Sequence, residues 1–231
     1  MGIADNIKRV NERIENACIR SGRSPESVRL MGVTKFHGLP VVEEAWKGGI
    51  RLFGENRVQE ALEKFPSFLE KQPEAELHMI GSLQRNKVKK AVPLFGCVES
   101  VDRNELIPEL DKHGLLKGEP LRIMLELHTG ESSKSGYPDM DTLYEGAESV
   151  LSCKGLRICG LMTMAPYTDD EKAIRKSFRS LVSAQKQLKL RFPEADWSCL
   201  SMGMSNDFEI AVEEGSTLLR IGSALFGERP V

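Results

Sequence analysis

The amino-acid sequence predicts a single (β/α)8 barrel, or TIM barrel, with one extra helix at its N-terminus. Eight short apolar runs alternate with stretches of helical periodicity, and eight strands separated by helices are the number that closes a parallel sheet into a barrel. The length of 231 residues suits one barrel of this kind. The alternative fold is an open doubly wound sheet, but no Gly-x-Gly-x-x-Gly turn follows the first apolar run, where that fold binds a dinucleotide.

The N-terminal helix is predicted over residues 3–20, where apolar residues recur every three or four positions among charged ones. Gly22 follows as a helix-ending residue. We expect residues 1–22 to pack on the barrel and residues 1–231 to form one domain, because the sequence has no low-complexity tract and no linker longer than residues 129–138.

The eight predicted strands and the helices between them follow from the alternation of apolar runs with helical periodicity. The predicted strands cover residues 28–33, 51–53, 77–80, 97–101, 121–127, 156–162, 198–202 and 218–221. The predicted helices between them cover residues 39–47, 58–69, 87–91, 103–113, 141–151 and 170–190. The spacing stays regular through the chain, which favours a closed barrel.

Composition and charge favour a small-molecule ligand. The 32 basic residues against 34 acidic ones give a net charge of -2, so we expect no binding to nucleic acid or to an anionic membrane surface. No apolar run is long enough to span a bilayer, and the first residues are too polar for a signal peptide, which predicts a cytoplasmic protein. The mixed-charge surface leads us to expect a monomer.

The five cysteines predict reduced thiols. They are odd in number and form no Cys-x-x-Cys pair, which argues against a disulfide or zinc framework. We therefore expect all of them to be core or surface residues. They are Cys18, Cys97, Cys153, Cys159 and Cys199.

Two neighbouring turns suggest a phosphate site. In a barrel, ligands are reached from the carboxyl ends of the strands, and phosphate often binds after the seventh and eighth strands. Residues 201–207 and 221–224 begin at the ends of those strands and supply glycine and serine hydroxyls, with Asn206 or Asp207 available as a helix cap. The alternative is that both segments are only capped turns.

Lys35 lies directly after the first predicted strand. An amine partly desolvated at the mouth of a barrel can attack an aldehyde and form a Schiff base. The alternative is a solvated surface lysine. A molecule that carries both an aldehyde and a phosphate, and bridges Lys35 and the two turns, fits the description of pyridoxal 5′-phosphate (PLP).

Arg220 lies inside the last predicted strand. If its side chain points into the barrel, it would face the pyridine nitrogen of such a cofactor and keep that nitrogen unprotonated, because two positive groups in contact repel each other. The alternative is an ion pair with Glu213 or Glu214 in the outer layer.

Several motifs along nearly the whole chain resemble those of the YggS/PROSC family of pyridoxal phosphate homeostasis proteins. They are Val-Thr-Lys at 33–35, Phe-Gly-Glu-Asn at 53–56 with Gln-Glu at 59–60, His-Met-Ile-Gly-Ser-Leu-Gln-Arg-Asn-Lys at 78–87, Gly-Leu-Met-Thr-Met at 160–164, Ser-Met-Gly-Met-Ser-Asn-Asp at 201–207 and Leu-Arg-Ile-Gly-Ser-Ala-Leu-Phe-Gly at 219–227. The resemblance implies a fold like the barrel domain of alanine racemase with an added N-terminal helix, and PLP bound as an internal aldimine.

The resemblance also implies the residues that bind the cofactor. They are Lys35 as the aldimine lysine, Ser205, Gly222 and Ser223 at the phosphate, Arg220 at the pyridine nitrogen, and Asn56 and Met202 in the ring pocket. Ser223 stands where the family is expected to carry threonine, a change that keeps the hydroxyl.

Two other polar residues are predicted to lie outside this group. Lys134, in a polar loop, is expected to be a solvated charge. His78 lies near the start of the third predicted strand, at the end of the barrel away from the ligand, and is expected to be a hydrogen-bonded packing residue.

A carrier or regulator of PLP is the favoured function. A PLP racemase needs a base on each face of the substrate carbon. Alanine racemase takes its second base from a separate domain, and few residues follow the last predicted strand here, so we expect a protein that supplies or buffers PLP, and serves PLP-dependent apo-enzymes, without efficient turnover. One alternative is a racemase-like enzyme that uses Tyr137 or Tyr167, and a weaker one is a Schiff-base aldolase acting on a phosphorylated sugar.

Overall fold

A closed barrel of eight parallel strands forms the centre of the molecule, as the sequence predicts. The computed structural model describes residues 2–130 and 135–227. The strands are β1 Arg29–Val33, β2 Leu52–Glu55, β3 Glu76–Met79, β4 Cys97–Val101, β5 Leu121–Glu126, β6 Leu156–Met162, β7 Cys199–Ser201 and β8 Leu218–Ile221. The α-helices are α1 Ile3–Arg20, α2 Leu39–Lys47, α3 Val58–Lys71, α4 Val88–Ala91, α5 Ile107–Lys117, α6 Met140–Leu151, α7 Glu171–Arg191, α8 Phe208–Glu213 and α9 Ser223–Phe226.

The strand register closes the barrel between β1 and β8. Met31 pairs with Leu52 on one side and with Arg220 on the other, so the first strand is hydrogen-bonded to both the second and the last. Every strand pairs in parallel with the next one along the chain. All eight carboxyl ends therefore lie on one rim, which is where a barrel positions its ligand-binding loops.

Helix α1 covers the seam where the barrel closes. Its apolar stripe is buried against α2, α8 and α9, which flank the first and last strands. Asn6 fixes the helix by donating from Nδ2 to the carbonyl of Leu225 at 2.9 Å, and Arg13 pairs with Glu209 at 3.2 Å. The chain then turns at Gly22, whose φ of +66° is in the left-handed region that suits glycine. The predicted extra helix is confirmed.

Two apolar layers follow from the alternation of side chains along each strand. The larger layer lies between the strands and the helices. The smaller one joins side chains from six different strands, which can meet only inside the barrel, and it is rich in sulfur. It consists of Met31, Val33, Leu52, Cys97, Met124, Met162 and Leu218. All five cysteines are free thiols, and the sulfurs of Cys97 and Cys159 lie 3.7 Å apart.

One helix lies further along the chain than the sequence predicts. The predicted helix ends at residue 113, whereas α5 runs through Gly114 to Lys117. Gly114 does not end the helix because it serves packing: a side chain there would overlap the backbone of Gly155 on the neighbouring β6 side. The helix ends instead at Gly118, with φ +90°. Over the ranges that the structure describes, no helix is both long and apolar enough to cross a membrane.

Candidate functional site

A cavity of about 760 Å³ opens at the carboxyl rim of the strands. Residues that follow β1, β2, β3, β6, β7 and β8 line it. Six of the seven residues named from the sequence lie on its wall, which brings the amine of residue 35 and both glycine-serine turns to one space. These are Lys35, Asn56, Ser205, Arg220, Gly222 and Ser223.

The turn that carries Lys35 has an unusual backbone. His37 donates its N–H to the carbonyl of Thr34 at 3.1 Å, which closes the turn. Phe36 has φ +67°, a left-handed conformation that a residue with a side chain adopts at a cost. Its N–H donates to Glu60 Oε2, from α3, at 3.2 Å. The turn therefore depends on contacts from outside its own segment.

A buried ion pair lies directly behind this turn, in the layer between the strands and α3. Lys64 Nζ is 2.6 Å from Glu55 Oε1, and Thr34 Oγ1 donates to the same oxygen at 2.6 Å. Burial raises the pKa of Glu55, and the hydrogen bonds from Lys64 and Thr34 oppose that rise. Lys64 also lowers the pKa of His37, although burial of that imidazole is the larger cause.

The two turns on the opposite wall are held by local hydrogen bonds. Ala224 donates its N–H to Ser205 Oγ at 3.1 Å, which ties the turn after β7 to the turn after β8. Met204 donates its N–H to Asp207 Oδ1 at 2.6 Å. Asp207 is the cap residue of α8, but among its described contacts its carboxylate bonds within the turn instead of capping the helix.

Gly222 leaves space on this wall. A Cβ at this position would come no nearer than 3.5 Å to any protein atom, the carbonyl oxygen of Val33. The packing of the protein therefore does not itself demand glycine at 222, and the residue lines the cavity together with Ser205 and Ser223.

Arg220 points into the barrel and reaches the floor of the cavity. Its side chain is 4% exposed, and it donates to Ser201 Oγ and to the carbonyl of Thr163, both at 2.7 Å. The alternative, an ion pair with the outer layer, is wrong. Glu213 and Glu214 are instead occupied by arginines of α1 and α7, namely Arg20, Arg175 and Arg179.

A chain of buried polar groups supports Arg220 from below. Ser201 Oγ donates to Glu99 Oε2 at 2.5 Å, and Glu99 Oε1 lies 2.6 Å from His78 Nδ1. Burial alone would lower the pKa of His78, but its contacts with Glu76 and Glu99 outweigh burial and raise it. Burial likewise lowers the pKa of Arg220, against the attraction of Glu99 and Glu126. His78 is thus a hydrogen-bonded packing residue, as predicted.

The sequence interpretation missed Glu99. A signal was available: Glu99 is a charged residue in the middle of an otherwise uncharged strand run at 97–101, and such a residue needs a buried partner. It also assigned no role to several cavity residues that follow β1 and β6, among them Phe36, His37 and Met164. Their position at the ends of strands was the available signal.

The prediction that Met202 lies in the ring pocket is wrong. It is fully buried in the apolar layer between strands and helices and does not line the cavity. The reason is the alternation of side chains: Ser201 points inward to Arg220, so the next residue points outward.

The two tyrosines predicted as alternative bases are separated by the structure. Tyr137 is buried away from the cavity, where its hydroxyl donates to Asn104 Oδ1 at 2.8 Å and burial raises its pKa. Tyr167 lines the cavity and is 80% exposed at its rim. Lys134 lies outside the described residues.

Comparisons with known proteins identify the family of this chain. Residues 3–230 match the family "alanine racemase, N-terminal domain". A pyridoxal phosphate homeostasis protein of Aquifex aeolicus is 37% identical over 229 residues, which cover 99% of each chain. The solved structure of PipY of Synechococcus elongatus, with PLP bound, is 34% identical, with a TM-score of 0.82 over 94% of this chain and all of that one.

A more distant likeness concerns the fold alone. An alanine racemase from Bacillus anthracis superposes with a TM-score of 0.72 at 18% identity, and the match covers 99% of this chain but 57% of the racemase. The barrel, its N-terminal helix and the full-length similarity together place this chain in the alanine racemase N-terminal domain family, among the pyridoxal phosphate homeostasis proteins.

Proposed function

We propose that this protein binds PLP in the rim cavity, covalently through Lys35, and that it stores and supplies the cofactor without efficient catalysis of its own. One observation carries the proposal: Lys35 and the two glycine-serine turns line the same cavity. The resemblance to homeostasis proteins and the PLP-bound PipY structure support it.

The residues on the two walls fit the two ends of PLP. The aldehyde of PLP is an electrophile with which a lysine amine condenses to a Schiff base, releasing water. Lys35 supplies that amine on one wall. On the other wall, the hydroxyls of Ser205 and Ser223 and the backbone at Gly222, which carries no side chain, suit a phosphate group.

Arg220 suits the pyridine end of the cofactor. Arg220 lines the cavity, and its guanidinium is held by Ser201 and the Thr163 carbonyl. A positive group at that place disfavours protonation of the pyridine nitrogen and so weakens the ring as an electron sink. This is a property that suits a carrier better than a catalyst.

The positions of the two tyrosines considered as bases argue against efficient racemisation. Of the two tyrosines considered, Tyr137 is buried elsewhere, and Tyr167 is largely in water at the rim. Phe36, at the same rim, is 41% exposed. An exposed rim leaves the cofactor accessible to water and to a receiving apo-enzyme, whereas racemases exclude water from the reacting carbon.

The primary test is chemical trapping. The purified protein is incubated with PLP, reduced with borohydride and mapped by mass spectrometry. We expect one adduct at Lys35, its loss in Lys35→Ala, and its full retention in the control Lys8→Ala, which removes an exposed lysine of α1. An adduct absent from Lys35 in the wild type would overturn the proposal.

Carrier and enzyme are separated by two further measurements. We expect PLP transfer to an apo-enzyme and no exchange of the α-proton of added amino acids in deuterated water. Exchange that is abolished by Tyr167→Phe would favour a racemase-like enzyme instead. Cleavage of a phosphorylated sugar by protein that lacks PLP would favour the aldolase.

A further inference from the structure

Lys64 is a buried lysine that phosphate and ring binding leave unexplained. It lies on α3, is 8% exposed and does not line the cavity. Its Nζ donates to the carbonyl of Thr34 at 2.9 Å, to the carbonyl of His37 at 2.9 Å and to Glu55 Oε1 at 2.6 Å. An ammonium group has three protons, so these three acceptors match its full capacity.

Two of those acceptors lie on either side of Lys35 in the chain. The carbonyls of Thr34 and His37 begin and end the turn, and Lys64 joins them from below. Glu60, four residues before Lys64 and so on the same face of α3, binds the N–H of Phe36 in the middle of the turn. One helix face thus contacts the start, the middle and the end of the turn.

The conformation of the turn explains why it needs this support. Phe36 has φ +67°, which is unfavourable for a residue with a Cβ atom and persists only where the surroundings impose it. Without the ammonium group, the two carbonyls would lose their shared donor, and the turn would relax toward a more favourable backbone conformation. The direction of the Lys35 amine would change with it.

We infer that Lys64, with Glu55 as its counter-charge, is a positioning residue that holds the turn in the conformation presenting the Lys35 amine to the aldehyde of PLP. The inference rests on the proposed function, since it takes Lys35 as the residue that reacts. Glu55 is required because an unpaired ammonium group is costly to bury, and it also holds the Thr34 hydroxyl.

A purely structural ion pair makes a different prediction from a positioning pair. Loss of a structural pair would lower stability and weaken the binding of every ligand of the cavity alike. Loss of a positioning pair would affect only the step that uses Lys35. Pyridoxine 5′-phosphate separates the two cases, because it has the ring and phosphate of PLP but a hydroxymethyl group in place of the aldehyde.

The test uses the double variant Glu55→Gln/Lys64→Met, which removes both charges and leaves no unpaired ion in the interior. We expect a melting temperature near that of the wild type, unchanged affinity for pyridoxine 5′-phosphate, and a rate of borohydride-trapped adduct formation at Lys35 that is roughly 10- to 100-fold lower at saturating PLP. Lys117→Met is the control, because Lys117 also donates to a backbone carbonyl, that of Phe95, away from the cavity.

Each other outcome is decisive. An unchanged trapping rate, an equal loss of affinity for both ligands, or a double variant that is grossly unstable would overturn the positioning role. If the wild type itself forms no adduct at Lys35, the proposed function fails and this inference fails with it. If the wild type forms the adduct and the double variant forms it equally fast, only the inference fails.

Discussion

The two walls of the cavity are built in different ways. The turns on the β7 and β8 wall are held by groups close in sequence, as where Asp207 accepts from Met204, or by the neighbouring turn, as where Ser205 accepts from Ala224. The Lys35 turn is held by Glu60 and Lys64, which lie at least 24 residues further along the chain. Anion-binding turns can be assembled from glycine, hydroxyls and local backbone geometry, whereas aiming a single amine requires a rigid external support.

The contrast between the two walls does not extend to Arg220, which lies beneath the β7 and β8 wall. Arg220, like Lys35, depends on distant residues, since Ser201 links it to Glu99 and His78 inside the barrel. The support of Lys35 lies outside the strands and that of Arg220 lies inside them. Point charges are thus held by buried polar networks on both sides, whereas each phosphate turn is held by contacts within itself or with the turn beside it.

The largest predicted effect concerns the buried network that supports Arg220. Glu99→Gln removes the negative charge between His78 and Arg220, and we expect a loss of about 3 kcal/mol in the free energy of unfolding, because the buried guanidinium of Arg220 loses a counter-charge and His78 loses its ionised hydrogen-bond partner. Urea denaturation at pH 7 measures it. The matched control is Glu148→Gln, which removes a half-exposed partner of Arg191 and should cost well under 1 kcal/mol. Equal losses of stability in the two variants would show that the buried network around Glu99 contributes no more than a half-exposed ion pair.

The pH dependence of the same variant follows from the two pKa shifts. The pKa of His78 is raised, so its contribution is fully present below pH 6.5 and is lost as the pH rises through the raised value. Burial alone would raise the pKa of Glu99, but its contacts with His78, Arg220 and Ser201 outweigh burial and lower it. The contribution of Glu99 is therefore present above pH 4.5 and is lost as the pH falls through the lowered value. We expect both of these pH-dependent losses of stability to be smaller in Glu99→Gln.

The next effect tests the space at Gly222. Gly222→Val places a branched side chain in the part of the cavity assigned to the phosphate, and we expect the affinities for PLP and for pyridoxine 5′-phosphate to fall together by about 2 kcal/mol, or roughly 30-fold. Isothermal titration measures both. Gly38→Ala is the control, since a Cβ there meets only Pro40 at 3.5 Å, outside the cavity wall. A fall in the affinity for PLP with no fall in the affinity for pyridoxine 5′-phosphate would mean that the phosphate binds elsewhere.

The fold was predictable because it depends on repetition. Eight apolar runs and a 3.6-residue periodicity needed no knowledge of distant contacts, and the phosphate turns at 201–207 and 221–224 were visible as local patterns of glycine and serine. The pair Lys64 and Glu55 was not predictable from spacing alone, because Lys64 looks like one more charge on an amphipathic helix until the barrel places α3 beside the turn that follows β1. The prediction for Met202 was wrong for a related reason: a shift of one position along a strand reverses the direction of a side chain.

A smaller effect concerns Glu126, which faces the barrel interior near Arg220. Burial raises its pKa to about 7, so the folded protein binds this proton more tightly than the unfolded chain, and stability is lost as the pH rises from 4.5 through 7. Glu126→Gln mimics the protonated form. We expect it to stabilise the protein by about 1–2 kcal/mol at pH 8.5 and to have no effect at pH 4, as measured by thermal unfolding. A difference that does not change with pH would contradict the assigned titration.

The smallest predicted effect tests whether the phosphate wall and the Lys35 turn are supported independently of each other. Ser205→Ala removes the acceptor for the N–H of Ala224 and one hydroxyl of the phosphate wall, and we expect a loss of about 1 kcal/mol in the binding of pyridoxine 5′-phosphate, or roughly fivefold. The rate of adduct formation at saturating PLP should stay at the wild-type value, because the Lys35 turn is held from α3. Ser152→Ala, which removes an exposed hydroxyl bonded within α6, is the control. A slower adduct rate in Ser205→Ala would show that the two walls are coupled, and that the phosphate turns also help to aim the amine.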